Sequence, residues 1–512
     1  RDAVSFDFPA GTMIAPGEYL VVARDAAALH SLYPSVNIVG NFSGRLNNDN
    51  DNILLRDAAK NPADEVHYYD RGRWPEFADG GGSSLELRDP NANNARAEAW
   101  AASDESEKSD WHTYSFRQIA SYGTGPNIWK EFWMGLLDSG EVLIDDIQVI
   151  QNPSDLPLNI LKNGTFESDI IGSSPDSWRI TGTQQGTVVL DPDDPDNKVL
   201  QLVASGTMAQ LNNHAETTTT RNIENHTEYE ILFRAKWLRG SNQLNTRLQS
   251  NRVASTTILQ IPKLHGTPGV LNSAYQANTG PTYVGFQHRP VVPNSGDKVT
   301  VTVAAEDPDG VASMTLWWST NSATWQSVPM NLGAAGFYTG SIAGEGNHTT
   351  VQFYVEGQDT HGATSTYPAG GRDSRALYRV GSGIISPFPI DTVRLLMTTA
   401  DDNKMRVNTN IFNNNLIGAT LVVNNQEVFY DIGARLKGSV SSRPHNNPGS
   451  FRIRLHPDHK FRDVHDSISI DRVKPFEIVI KQLFNHMGGP VSFYDDLAYS
   501  ETGTFQLQLA RY

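Results

Sequence analysis

The chain has 512 residues, enough for three or four domains at roughly 100–200 residues each. Asp and Glu (57) outnumber Lys and Arg (41), and the formal charge of −16 argues against a nucleic-acid partner, because phosphate backbones would be repelled. With no Cys, disulfides, thiol catalysis and Cys-ligated metal centres are excluded.

Only 19% of residues are charged, while 42 Gly and 27 Pro punctuate the chain, a turn-rich and helix-poor balance. The expected fold class is mostly β and multidomain: β-sandwiches and a jelly roll, then a partial α+β lobe. No run of 18 apolar residues marks a membrane-spanning helix. The chain opens in mid-strand at Arg1 and stops at Tyr512, as a piece of a longer exported or surface-attached polypeptide would.

Residues 1–104 alternate short apolar runs with Gly, Pro, Asn and Asp turns, predicting a small β-sandwich. Tyr19, Val21, Phe42, Leu54, Val66, Trp74 and Leu85 are expected to point inward. Asp25–Tyr33 has helical spacing, with Ala28, Leu29 and Leu32 on one face. The order FPAGT, PGEYLVVARD, GNFSGRLNNDNDNILLRD, DEVHYYDRGRWP and SSLELRDP resembles the bacterial lamin-tail domain. That resemblance implies an immunoglobulin-type sandwich lacking its first strands.

In residues 105–255, NILKNGTFESD (159–169) and HTEYEILFRAKWLRG (226–240) resemble strands of carbohydrate-binding jelly-roll modules. The closing strands of such a module come early here, as WHTYSF (111–116) and IWKEFWMGLLDSGEVLIDDIQVI (128–150). A jelly roll without them would leave open edges, and residues 106–152 are too few to bury a core alone. The expectation is one permuted module; the alternative is that 106–152 is the tail of a truncated one. In EFWMGLL, Phe132 and Met134 share one face and Glu131 and Trp133 the other, so one aromatic must face outward.

Sugars stack on indoles, making Trp129, Trp133, Trp178 and Trp237 candidates, with Trp133, Trp129 and Trp178 the ligand-binding set. The jelly-roll resemblance implies a structural Ca²⁺ held by Glu167 and Asp145 or Asp146. The loops 191–197 (DPDDPDN) and 47–52 (NNDNDN) are also rich in oxygen ligands, without EF-hand spacing.

Residues 256–280 are expected to be a linker. Residues 281–380, with KVTVTVAAED, a DPDG turn, MTLWWS and VQFYVEGQD, resemble a fibronectin type III or immunoglobulin-like sandwich. Val299, Val301, Val303, Leu316, Trp318, Phe353 and Val355 should point inward. Residues 381–390 read as a second linker, held extended by Pro387 and Pro389.

In residues 391–512, strands precede a helix with Phe476, Val479, Ile480, Leu483 and Phe484 on one face, ending at Gly488. ARLKGSVSSRP and SFRIRLHPDHKF, followed by that helix, resemble the spore-coat protein H (CotH) kinase-like family, atypical protein kinases. The resemblance implies the N-terminal part of a kinase-like lobe, with ATP and Mg²⁺ as cofactors if it is complete. Lys437, or Arg452 and Arg454, would face phosphate, and Glu477 would orient the Lys. No GxGxxG or GxxxxGK[ST] occurs, and no acidic C-lobe motif follows, so this piece is expected to be inactive. His445, His456, His459 and His465 read as solvated loop histidines. Two functions follow: adhesion, scaffolding or glycan binding by β-modules outside the cell, with a glycan or matrix protein as partner; or a secreted kinase delivered by those modules.

Overall fold

A computed structural model describes residues 4–121, 129–209, 212–249, 251–381, 383–387, 389–439, 443, 449–472, 475–488, 497–502 and 507–511. It is a mostly β, multidomain chain.

Between 4 and 104 the strands pair only two by two. Val21–Ala23 runs parallel to Ile38–Gly40, Asn50–Arg56 pairs with Pro62–Tyr69, and Leu85–Leu87 pairs with Trp100–Ala102. Among the described residues these pairs do not join into two packed sheets, which differs from the expected sandwich. Of the residues expected inward, Trp74 is buried and Tyr19 is 41% exposed, while Ile53 and Leu55 lie on the exposed side of the half-buried Leu54, as the alternation has them. Asp25 caps the Ala26–Leu32 helix by accepting from the Ala28 amide at 2.9 Å.

This segment finds its burial against its neighbours instead. Glu86, 4% exposed, accepts from Ser273 Oγ and from the Ala274 amide. Glu105 accepts from the Gly266 amide at 2.7 Å, and Asn272 donates to the Leu87 carbonyl. Residues 265–276 are therefore fastened along the first segment rather than forming a free linker. At Gly82 a Cβ would lie 2.6 Å from the Trp237 ring, so a side chain there would block the contact with the jelly roll.

The jelly roll has two sheets, and the strands before residue 152 share both with strands after 159. The 12-residue strand Gly140–Gln151 lies between Asp194–Ala204 and Glu228–Gly240, with His112–Ile119 beyond the latter. In the facing sheet, Glu131–Leu136 lies between Ala215–Thr218 and Gln243–Leu248, with Trp178–Ile180 and Val253–Ile258 at the edges. Val142, Ile144, Phe132, Met134, Ile231 and Leu244 meet in one core, all at 0% exposure.

The third unit packs two sheets over Val299, Val301, Val303, Leu316, Trp318, Phe353 and Val355, each at most 6% exposed. The last strands close a seven-stranded barrel, because Leu497–Thr502 returns parallel to Asp391–Leu396. That register sets Arg394 opposite Glu501, and the two form a buried pair at 2.9 Å. Val291, Leu377, Leu396 and Val422 form a small apolar cluster joining barrel and third unit. Ile384 is buried and its carbonyl accepts from Asn425, so the second expected linker is partly docked.

The Pro475–His486 helix forms where the spacing places it, but its apolar face is outward. Phe476, Val479, Ile480, Leu483 and Phe484 are 49–64% exposed, and Ile478 is the buried residue. Periodicity reports that a stripe exists, not that something covers it.

Two stability outcomes follow. Ile144→Ala, in the strand shared by both halves of the jelly roll, should cost about 2–5 kcal/mol in urea unfolding. The fully buried His288 joins third unit and barrel: its Nε2–H donates to the Val291 carbonyl and its Nδ1 accepts from Tyr430 O–H at 2.6 Å. Burial, aided by Arg289, pushes its pKa down to about 4 from 6.5. The folded state then binds the proton less readily than the unfolded state. Stability is full above pH 6.5 and falls as pH drops towards 4, by about 2 kcal/mol at pH 5. Thermal melts at pH 7 and 5 should show this loss, and His288→Asn should flatten it even if the variant melts lower at both.

Candidate functional site

The outer face of the five-stranded jelly-roll sheet carries the clearest constellation. Because Phe132 and Met134 point into the core, the alternation of the pleat turns Trp133 outward. Register then sets one cross-strand row: Arg179 opposite Glu216, Glu216 opposite Trp133, Trp133 opposite Arg247, and Arg247 opposite Ala254.

Around the half-buried Trp133 the polar groups are fixed. The buried His214 ring stacks on its indole, centroids 4.8 Å apart. His214 Nε2 lies 2.8 Å from Glu216 Oε2, and Arg179 Nε donates to Glu216 Oε1 at 2.6 Å. Partial burial pushes the Glu216 carboxyl up, but hydrogen bonds from His214 and Arg179 outweigh it and hold it at about 2. Arg247 is steered by Asn245 and Asn251. Trp133 Nε1 is buried and has no hydrogen-bond partner among the described residues. An indole face, an orphan N–H, a guanidinium and a fixed carboxylate together suit a ring with several hydroxyls.

One side of this face is bounded by an Asn-rich loop of the barrel. Asn213 donates to the Phe412 carbonyl at 3.0 Å, its Oδ1 accepts from the Asn414 amide, and Ser205 donates to Asn415 Oδ1. Nothing in the local sequence around Trp133 signals that wall.

The other aromatic candidates take different places. Trp178 donates from Nε1 to the Asn163 carbonyl and packs on Phe132 and Phe166, a core role. Trp237 is 1% exposed. Trp129 is 46% exposed, just ahead of the Glu131–Leu136 strand.

Asp145 and Asp146 sit at a bulge, where Asp146 takes φ 50°, and both approach Arg234, at 3.7 and 3.4 Å. Asp145 is 2% exposed, and burial pushes its carboxyl up to about 6 despite the hydrogen bond from Asn197. Glu167 is exposed and accepts from the Lys198 amide. Among the described residues, a group of three carboxylates occurs at Asp307, Asp309 and Asp359, whose oxygens lie within 4.8 Å of one another. The DPDG motif held two of them; the third comes from a distant strand end. The 191–197 loop is internally tied, with Asp191 accepting from Trp111 Nε1 and Asn197. In the 47–52 loop, Asn47 bonds Asp51 and Asn50.

In the barrel, Lys437 Nζ pairs with Asp471 at 2.7 Å. Arg452 and Arg454 are exposed. His456 is no solvated loop histidine: it is half-buried, donates from Nε2 to the Asp431 carbonyl, and burial together with Arg73 pushes its pKa down to about 4. His459 stacks on Phe429, centroids 4.4 Å apart. His445 lies outside the described residues.

No protein-family model and no curated protein matches the chain. Among solved structures, it is similar to a pullulanase complexed with maltotriose from Anoxybacillus sp. LM18-11, at 8% identity and a TM-score of 0.13, covering 54% of this chain and 29% of that one. A putative membrane anchored protein from Corynebacterium diphtheriae gives 8% identity and 0.17, covering 61% of this chain and 57% of that one. A DUF4785 family protein from Legionella pneumophila gives 9% and 0.15, covering 65% and 76%. At such TM-scores these likenesses carry nothing about site or ligand. The chain spans less than two thirds of the first two structures. No helix among the described residues is long and apolar enough to cross a membrane.

Proposed function

We propose that the chain is a multi-module binding and scaffolding protein of the cell exterior, with the outer face around Trp133 as a glycan platform. The single observation that carries this reading is the outward indole with Arg179, Glu216 and Arg247 in the same cross-strand row. Stacking of a pyranose CH face on the half-buried indole would supply the apolar part of the contact. The fixed Glu216 carboxylate would accept a hydroxyl proton, and Arg247 would donate to a ring or glycosidic oxygen. A matrix protein is the other partner class such a surface would serve.

The alternative of a secreted spore-coat-type kinase requires Lys437 to meet ATP and Mg²⁺. In this structure Lys437 pairs with Asp471.

Glycan-array screening of the intact chain, followed by calorimetry on the hits, tests the platform. Trp133→Ala should weaken binding at least tenfold, about 1.4 kcal/mol, with circular dichroism unchanged. Trp178→Ala, by contrast, should destabilise the fold by about 3–5 kcal/mol. Full affinity in Trp133→Ala would remove the platform.

A further inference from the structure

A second cavity, of about 640 Å³, opens where three modules and their connector meet. That volume falls in the range of roughly 300–1,000 Å³ typical of small-molecule sites. Its walls come from four separate stretches: 72–100, 276–283, 363–369 and 430–456. It is distinct from the Trp133 face, and none of its lining residues belongs to that row.

The walls are built rather than loosely apposed. Trp100 is held by its Nε1 hydrogen bond to the Asn94 carbonyl and by the buried Trp74 behind it, centroids 6.1 Å apart. Tyr367 is wedged against Tyr283 and Phe286, with the Arg73 guanidinium 5.8 Å over its ring. Arg73 is itself fixed by Asp458 at 2.5 Å. Arg88 is steered by Gln276 Oε1 at 2.6 Å, and Tyr283 O–H donates to the Ser365 carbonyl.

The charge balance narrows the ligand. Two guanidinium groups, Arg73 and Arg88, face two carboxyl groups, Glu98 and Asp431. His456 is neutral near pH 7, since burial and Arg73 hold its pKa at about 4, and its Nε2–H is committed to the Asp431 carbonyl, which leaves Nδ1 as an acceptor. Glu98 and Asp431 stand in the walls, and a ligand that adds negative charge would have to approach their carboxyls. A phosphate would meet those carboxyls, and a free cation would meet the guanidiniums. A neutral ring bearing hydroxyls meets neither penalty, because each hydroxyl both donates and accepts. Trp100 and Tyr367 supply aromatic surface for its CH faces.

We infer that this junction cavity is a second binding site, for a neutral saccharide unit, and that its occupant ties the first, third and barrel modules together. An occupant touching all three would stabilise their mutual arrangement by mass action.

The test uses the intact chain carrying Trp133→Ala, so that the outer-face platform and the cavity fail separately. Maltose, cellobiose, lactose and N,N′-diacetylchitobiose at millimolar concentration are the probes, with glucose 6-phosphate and glutamate as charged controls. At least one neutral disaccharide should raise the thermal midpoint and increase hydrogen-exchange protection near Trp100, Tyr367 and Asp431 together. Glu98→Gln, which keeps size, and Tyr367→Leu, which removes the aromatic face offered to the sugar, should each weaken that ligand at least fivefold, with Glu98→Gln leaving the ligand-free midpoint within a few degrees. Absence of any neutral-sugar shift overturns the proposal. So does equal binding in both variants, or a shift produced by the charged controls alone.

Discussion

The arrangement depends on burying the Gly140–Gln151 strand on both faces and both edges. Val142, Ile144, Ile147 and Val149 are at most 1% exposed, and the strand hydrogen-bonds to two long neighbours. A strand this apolar cannot lie at an edge without inviting association. Once it is central, Glu131–Leu136 is forced into the facing sheet, Phe132 and Met134 into the core, and Trp133 out of it. The outer face is thus a consequence of core packing, not a separate design.

The modules are joined by specific polar groups as much as by apolar area. Glu86 and Glu105 take donors from the 265–276 connector, Arg394 pairs with Glu501 across the barrel seam, and His288 shares a hydroxyl with Tyr430. Each buried polar group is costly when unpaired, so these joints favour one arrangement over looser ones. Flexible spacers would not need them. The junction cavity exists because such joints hold four stretches at fixed separation around it.

What could be read from the residues was what depends on neighbours along the chain. Alternation placed Val299, Val301 and Val303 inward and separated Trp133 from Phe132 correctly, and turn residues announced a β-rich chain. Longer-range matters were not readable. Nothing local says that Leu497–Thr502 pairs in parallel with Asp391–Leu396 and closes a barrel. The alternation of residues 1–104 suggested a sandwich, and it did not tell which strands pair: among the described residues they pair two by two. The helix stripe from Phe476 to Phe484 was real in the sequence and faces outward in the fold. His456 looked like a turn residue until Arg73 and Asp431 were brought beside it from elsewhere.

The tryptophans make the same point about function. Trp133, Trp178 and Trp237 belong to one module, and all three suit stacking on a sugar. Trp237 is spent on the contact with Gly82, and Trp178 on Phe132 and Phe166. Composition alone cannot rank them, because an indole has the same apolar area in each place. What separates them is the fate of the N–H: Trp178 and Trp237 have carbonyl partners, whereas that of Trp133 has none among the described residues. Burial and hydrogen bonding thus set Trp133 apart from the two indoles that the fold itself uses, a distinction that only the three-dimensional arrangement makes.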